Sequence, residues 1–132
     1  MASSRVLVVE DDPSVRGLLQ TVLEDEALEV ILAADGEEGL RLARTVDPDV
    51  VLLDVMMPGL GGPDVIRRLR RDDGSLPFAV LVVTGAVEVI APLRSELGPQ
   101  AVLEKPFDIV TLAARVKSLA GRAAQGSAHE QT

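Results

Sequence analysis

The residues whose types and placement suit them to act as a group are Glu10, Asp11, Asp54, Thr84 and Lys105, because each ends or follows a short apolar run. Val50-Val51-Leu52-Leu53 reads as a buried strand, Asp54 stands where it must stop, and Pro58, Gly59, Gly61 and Gly62 punctuate the loop beyond. In an open parallel sheet that edge is where ligands and chemistry collect, since the strand-to-helix loops diverge there and leave a crevice. A carboxylate so placed can act as a nucleophile, and the chemistry expected of Asp54 is the acceptance of a phosphoryl group. Glu10 and Asp11 follow Val6 to Val9, Thr84 follows Phe78 to Val83, and Lys105 lies just past Ala101 to Leu103.

The elements that must position these residues are legible from periodicity. Val6 to Val9 is a strand buried on both faces, and Asp12 with Pro13 starts a helix whose Val15, Leu18, Leu19, Val22 and Leu23 follow the helical spacing. Gly17 inside that helix costs about 1 kcal/mol relative to Ala, and close approach to a neighbour is the expected reason for it. Leu28 to Ala33 is the second strand, and Asp35-Gly36-Glu37-Glu38 opens a second helix with its acids at the positive end. Leu40, Ala43 and Val46 mark that helix's buried side. Gly62-Pro63 opens a third helix with Val65, Ile66 and Leu69 inward, followed by the fourth strand. Pro92 interrupts the next apolar pattern, so the fourth helix is expected to be short or irregular, running from about Pro92 to Leu97. A brief fifth strand precedes a last helix, capped by Asp108, with Ile109, Leu112, Ala113, Val116 and Leu119 on one side.

Strands thus begin near residues 5, 28, 50, 78 and 101, each followed by a helix. That alternation implies right-handed crossovers and an α/β, doubly wound, five-stranded parallel sheet with helices on both faces. The domain is expected over residues 1–120, with the Ala/Gly/Ser/Gln-rich stretch 121–132 as a flexible C-terminal tail.

Whole-chain properties narrow the function classes. The 132 residues suffice for one core, and 47% hydrophobic with 26% charged residues is the composition of a globular domain. Acids outnumber bases 21 to 13, and a net charge of −8 repels phosphate backbones, so neither nucleic acid nor an anionic membrane is an expected direct partner. Arg67, Arg68, Arg70 and Arg71 are expected to form a solvated helix face. With no cysteine there is no disulfide or thiolate-bound zinc. Met1 to Arg5 has no apolar run of the kind export signals carry, and the most apolar window, Ala79 to Leu93, is too short to span a bilayer, so a cytoplasmic location is expected.

In the doubly wound order 2-1-3-4-5 the first and third strands are neighbours, which sets Glu10 and Asp11 against Asp54. Crowded carboxylates need a counter-charge, and a hard cation with oxygen ligands, such as Mg2+, supplies one. Lys105 adds a fixed positive charge. Glu10-Asp11, Asp54 with Pro58 and Gly62 four and eight residues after it, Thr84, and Lys105-Pro106, in this order, resemble the receiver domain of two-component response regulators over about residues 5 to 120. The flavodoxin-like order 2-1-3-4-5 is taken from that resemblance.

The resemblance implies a mechanism. Asp54 would be the phosphoacceptor, attacking a phosphohistidine of a sensor histidine kinase or phosphotransfer protein, and water would later remove the phosphoryl group. Mg2+ would be held by Asp11, Asp54, the backbone carbonyl of Met56 and, through water, Glu10. Lys105 and the Thr84 hydroxyl would each bind a phosphoryl oxygen, and the Lys105-Pro106 bond would be cis. A downstream protein target or output domain, a monomer or weak dimer, and catalysis confined to its own phosphorylation and dephosphorylation complete the expectation.

Val102 stands three before the lysine, where many receivers carry an aromatic residue, and Pro92 alters the fourth helix. The chemistry is therefore expected to be kept and its conformational readout to be unusual. These two residues also motivate the alternative of a receiver-fold adaptor that binds protein partners without phosphorylation. A metal-dependent phosphatase would want a D-x-D after the first strand, where this chain has Glu10-Asp11-Asp12. A flavin site would want a Ser/Thr/Gly phosphate loop there.

Overall fold

The structure is a computed structural model that describes residues 4–55, 59 and 61–130, with side chains described to residue 122. The elements run β1 (Arg5–Val9), α1 (Pro13–Asp25), β2 (Glu29–Ala33), α2 (Gly36–Thr45), β3 (Val50–Asp54), α3 (Gly62–Leu69), β4 (Ala79–Thr84), α4 (Val87–Leu97), a single 3-10 turn (Pro99–Ala101), β5 (Val102–Glu104) and α5 (Ile109–Glu130). All strand pairs are parallel, in the order β2-β1-β3-β4-β5. This is the doubly wound, flavodoxin-like sheet that the alternation of strands and helices implies.

Side chains of a strand alternate between the two faces, so each central strand feeds two cores. Val6, Val8, Val50, Leu52, Leu81 and Val83 pack with Leu19 and Leu23 of α1 and Leu112, Val116 and Leu119 of α5. Leu7, Val9, Val51, Leu53, Val80 and Val82 pack on the opposite face with Ala43 of α2, Val65 and Ile66 of α3, and Ile90 and Leu93 of α4. Each fully buried Leu or Val contributes about 1.5–3 kcal/mol.

The caps expected at Asp12 and Asp108 are present. The Asp12 carboxylate accepts from the Ser14 and Val15 amides and Asp108 accepts from the Val110 amide, and the structure adds Asp35, which accepts from the Glu38 amide. Two expectations are corrected. The fourth helix starts at Val87, not near Pro92, and Pro92 lies inside it. A proline in a helix interior costs about 3 kcal/mol, and burial of Ile90 and Leu93 on the sheet is of a size to offset it. Gly17 is the second correction: a Cβ there would meet nothing within 4 Å, so no close approach explains it. Helix α5 runs to Glu130, past Gly121, where its apolar pattern ends.

Close approach does explain two other glycines. A Cβ on Gly39 would lie 2.8 Å from Cγ2 of Val9, and one on Gly62 would lie 2.9 Å from Cα of Val55. Both hold helices against the strand ends that carry the candidate site.

Candidate functional site

Strand register brings the singled-out residues to one edge. Val9 is level with Leu53, so Glu10, the next residue, comes level with Asp54 at the end of β3. Asp54 is in turn level with Val83, and Thr84 with Glu104, which sets Lys105 just beyond Thr84. The ladder continues past β5, because the Lys105 amide donates to the Thr84 carbonyl at 2.8 Å. The Lys105-Pro106 peptide bond is cis.

Glu10, Asp11 and Asp54 each offer a carboxylate oxygen, and these oxygens lie within 4.8 Å of one another. Glu10 and Asp54 are buried, whereas Asp11 is exposed at the mouth. From the far side the Lys105 ammonium donates to Oδ2 of Asp54 at 2.8 Å. A small cleft joins this polar end, formed by Glu10, Asp54 and Lys105, to an apolar floor of Val15, Leu52, Val83 and Phe107.

Electrostatics follow from this crowding. Burial pushes the Glu10 carboxyl up to about 7, with the adjacent negative charge of Asp54 acting in the same direction. The Asp12 amide, which donates to Oε1 of Glu10 at 3.2 Å, and the Lys105 charge act against it. Three oxygen donors with no nitrogen or sulfur among them suit a hard divalent cation such as Mg2+.

Thr84 is fully buried, and its Oγ1 accepts from the Ala86 amide at 3.0 Å. That bond uses a lone pair and leaves the hydroxyl proton to donate. Met56, whose carbonyl is an expected metal ligand, lies outside the described residues, as does Pro58. Val102 is buried in β5, and Arg67, Arg68 and Arg71 are exposed.

One contributor was not singled out in the sequence. The Arg16 guanidinium, on the first turns of α1, donates through Nη1 to the Glu10 carbonyl at 2.9 Å and to the Asp11 carbonyl at 3.4 Å. Its one available sequence signal is its place one helical turn after the Asp12 cap, which gives no indication of where the side chain turns.

Comparison with known proteins agrees with this arrangement. Residues 6–117 match the family described as response regulator receiver domain. The chain is 42% identical over 115 residues to the DNA-binding response regulator MtrA of Mycolicibacterium smegmatis, covering 86% of this chain and 49% of that protein. It is 40% identical over 121 residues to the alkaline phosphatase synthesis transcriptional regulatory protein PhoP of Bacillus subtilis, covering 91% and 50%. The chain therefore spans about half the length of these curated relatives. Among solved structures, the signal receiver domain of a putative Luxo repressor protein from Vibrio parahaemolyticus superposes with a TM-score of 0.86 at 27% identity, covering 98% of each chain. With strand order, carboxylate cluster and relatives in agreement, the chain belongs to the response regulator receiver domain family.

Proposed function

We propose that Asp54 is the phosphoacceptor of a two-component signalling pathway. The observation that carries this reading is the convergence of three carboxylates within 4.8 Å, with Lys105 2.8 Å from Asp54. An oxygen of Asp54 attacks the phosphorus of a phosphohistidine on a sensor histidine kinase or phosphotransfer protein. The P–O bond forms, the P–N bond breaks, and its electron pair stays on the imidazole nitrogen. Later attack by water on phosphorus forms a new P–O bond and breaks the P–O bond to Asp54, whose oxygen keeps the electron pair. Inorganic phosphate leaves with the water's oxygen, one water proton passes to phosphate or solvent, and the Asp54 carboxylate returns.

Asp11, Asp54 and the Met56 carbonyl would hold Mg2+, with Glu10 acting through water. Bound there, the ion offsets negative charge on the phosphoryl oxygens. Lys105 leaves its ion pair with Asp54 to pair with a phosphoryl oxygen, and the Thr84 hydroxyl donates to another. Turnover of external phosphomonoesters is not expected.

In this reading residues 1–120 form the receiver and 121–132 a tail, in the cytoplasm, as a monomer or weak dimer. The output is a downstream protein target or a further domain, and this domain itself binds neither nucleic acid nor membrane. Among the described residues no helix is long and apolar enough to cross a membrane. A binding-only adaptor has no use for gathered carboxylates, two of them buried, and is not favoured.

The test is labelling by a small phosphodonor, read as one added phosphoryl group by intact mass. Labelling should require Mg2+ and vanish in Asp54→Asn. Labelling that survives that substitution would overturn the assignment.

A further inference from the structure

We infer that Arg16 is a positioning residue that fixes the loop carrying Glu10 and Asp11 in its metal-binding form. This role rests on the reading of the site given above. Only Glu10, Asp11 and Asp12 separate β1 from α1, so the loop has little chain with which to satisfy its own backbone groups. Arg16 takes up three successive carbonyls. Its Nη1 donates to Glu10 at 2.9 Å and to Asp11 at 3.4 Å, and its backbone amide donates to the Asp12 carbonyl at 2.9 Å. The amides of the same loop are held from other directions, Glu10 by the Ala33 carbonyl at 3.1 Å and Asp12 by Oε1 of Glu10 at 3.2 Å.

The consequence is local. Asp11 is exposed, so no packing holds its side chain, and the position of its backbone is what limits where the carboxylate can reach. Without the guanidinium the Glu10 and Asp11 carbonyls lose their side-chain donor, the peptide between them is free to rotate, and the two carboxylates part. Groups that orient a metal's ligands in this way typically affect affinity by about 10–100-fold.

Charge alone predicts the opposite sign. Removing a cation from the neighbourhood of clustered carboxylates strengthens their attraction for a divalent ion. Positioning therefore predicts weaker Mg2+ binding by Arg16→Gln, and a purely electrostatic presence predicts tighter binding. Arg16→Lys keeps the charge, but a compact ammonium lacks the planar fork, so several-fold weakening is expected.

The experiment is calorimetric titration of Mg2+ into the wild type, Arg16→Gln, Arg16→Lys and Lys117→Gln, with amide exchange followed in the metal-free proteins. Lys117 pairs with Glu26 on the surface and matches the charge change away from the site. The expected result is about tenfold weaker Mg2+ binding in Arg16→Gln, faster exchange at the Glu10 and Asp12 amides, and no change in Lys117→Gln. Affinity within twofold of the wild type, or tighter, in a folded Arg16→Gln overturns the role. If that variant does not fold, unchanged affinity in Arg16→Lys overturns it as well. A wild type that binds no Mg2+ would instead refute the reading of the site itself.

Discussion

The Lys105 ammonium nitrogen lies 2.8 Å from Oδ2 of Asp54, joining residues 51 apart in sequence across the ends of β5 and β3. Asp54 is 5% exposed and the Lys105 side chain 38%, so the pair sits at the border between solvent and core. Beside two buried carboxylates, Lys105 supplies the positive charge that the site needs when no cation is bound.

Replacing Lys105 by Met should therefore destabilise the metal-free protein at neutral pH by about 1–2 kcal/mol, less than a fully buried pair would lose because the lysine is partly screened. Urea unfolding with and without Mg2+ tests this. The loss should shrink when Mg2+ supplies the missing counter-charge, and an equal loss in both conditions would contradict it.

Glu10 gives the metal-free protein a pH dependence. Its carboxyl is raised from 4.5 to about 7 in the fold, chiefly by burial, so the native state holds more protons than the unfolded chain between those values. Its stabilising contribution is complete below 4.5 and is lost as pH rises through about 7, about 3 kcal/mol in all. Thermal unfolding across this range should show the decline, and Glu10→Gln should flatten it. Mg2+ binding should tighten over the same interval, because the ion competes with that proton.

Thr84 has a structural duty besides its proposed chemical one. Its Oγ1 accepts the Ala86 amide at 3.0 Å, at the start of α4. Thr84→Val keeps the volume but orphans that amide, and should cost about 1 kcal/mol as well as slow labelling. Thr84→Ser should keep both properties, and matching behaviour of the two variants would remove the hydroxyl from the account.

The glycines should respond with opposite signs. Gly17 is exposed inside α1, and a methyl group added there would meet nothing within 4 Å, so Gly17→Ala should raise stability by about 0.5–1 kcal/mol. A methyl group at Gly62 would meet the Cα of Val55 at 2.9 Å, beside Asp54, and that backbone atom cannot swing aside. Gly62→Ala should cost about 1–3 kcal/mol and weaken Mg2+ binding. Chemical denaturation and the same calorimetric titration separate the two cases.

Sequence by itself determined the kinds of element and the polar residues at their ends, because side-chain periodicity and capping act over a few residues. The runs Val6–Val9 and Val50–Leu53, the caps Asp12 and Asp108, and the candidates Glu10, Asp11, Asp54, Thr84 and Lys105 were all legible in this way. Strand order was not, since the alternation is compatible with several orders and the arrangement 2-1-3-4-5 came from family resemblance. Tertiary structure decided what depends on contacts distant along the chain. Pro92 breaks a helix by local rules, yet α4 passes through it because Ile90 and Leu93 are buried on the sheet. Gly17 and Gly62 look alike as letters, and only packing separates an open surface position from a close approach to Val55. Arg16 reads as a surface arginine of α1 until the fold turns its guanidinium back to the carbonyls of Glu10 and Asp11. A hydrogen bond from a long side chain is set by where the backbone around it goes, and no local pattern encodes that.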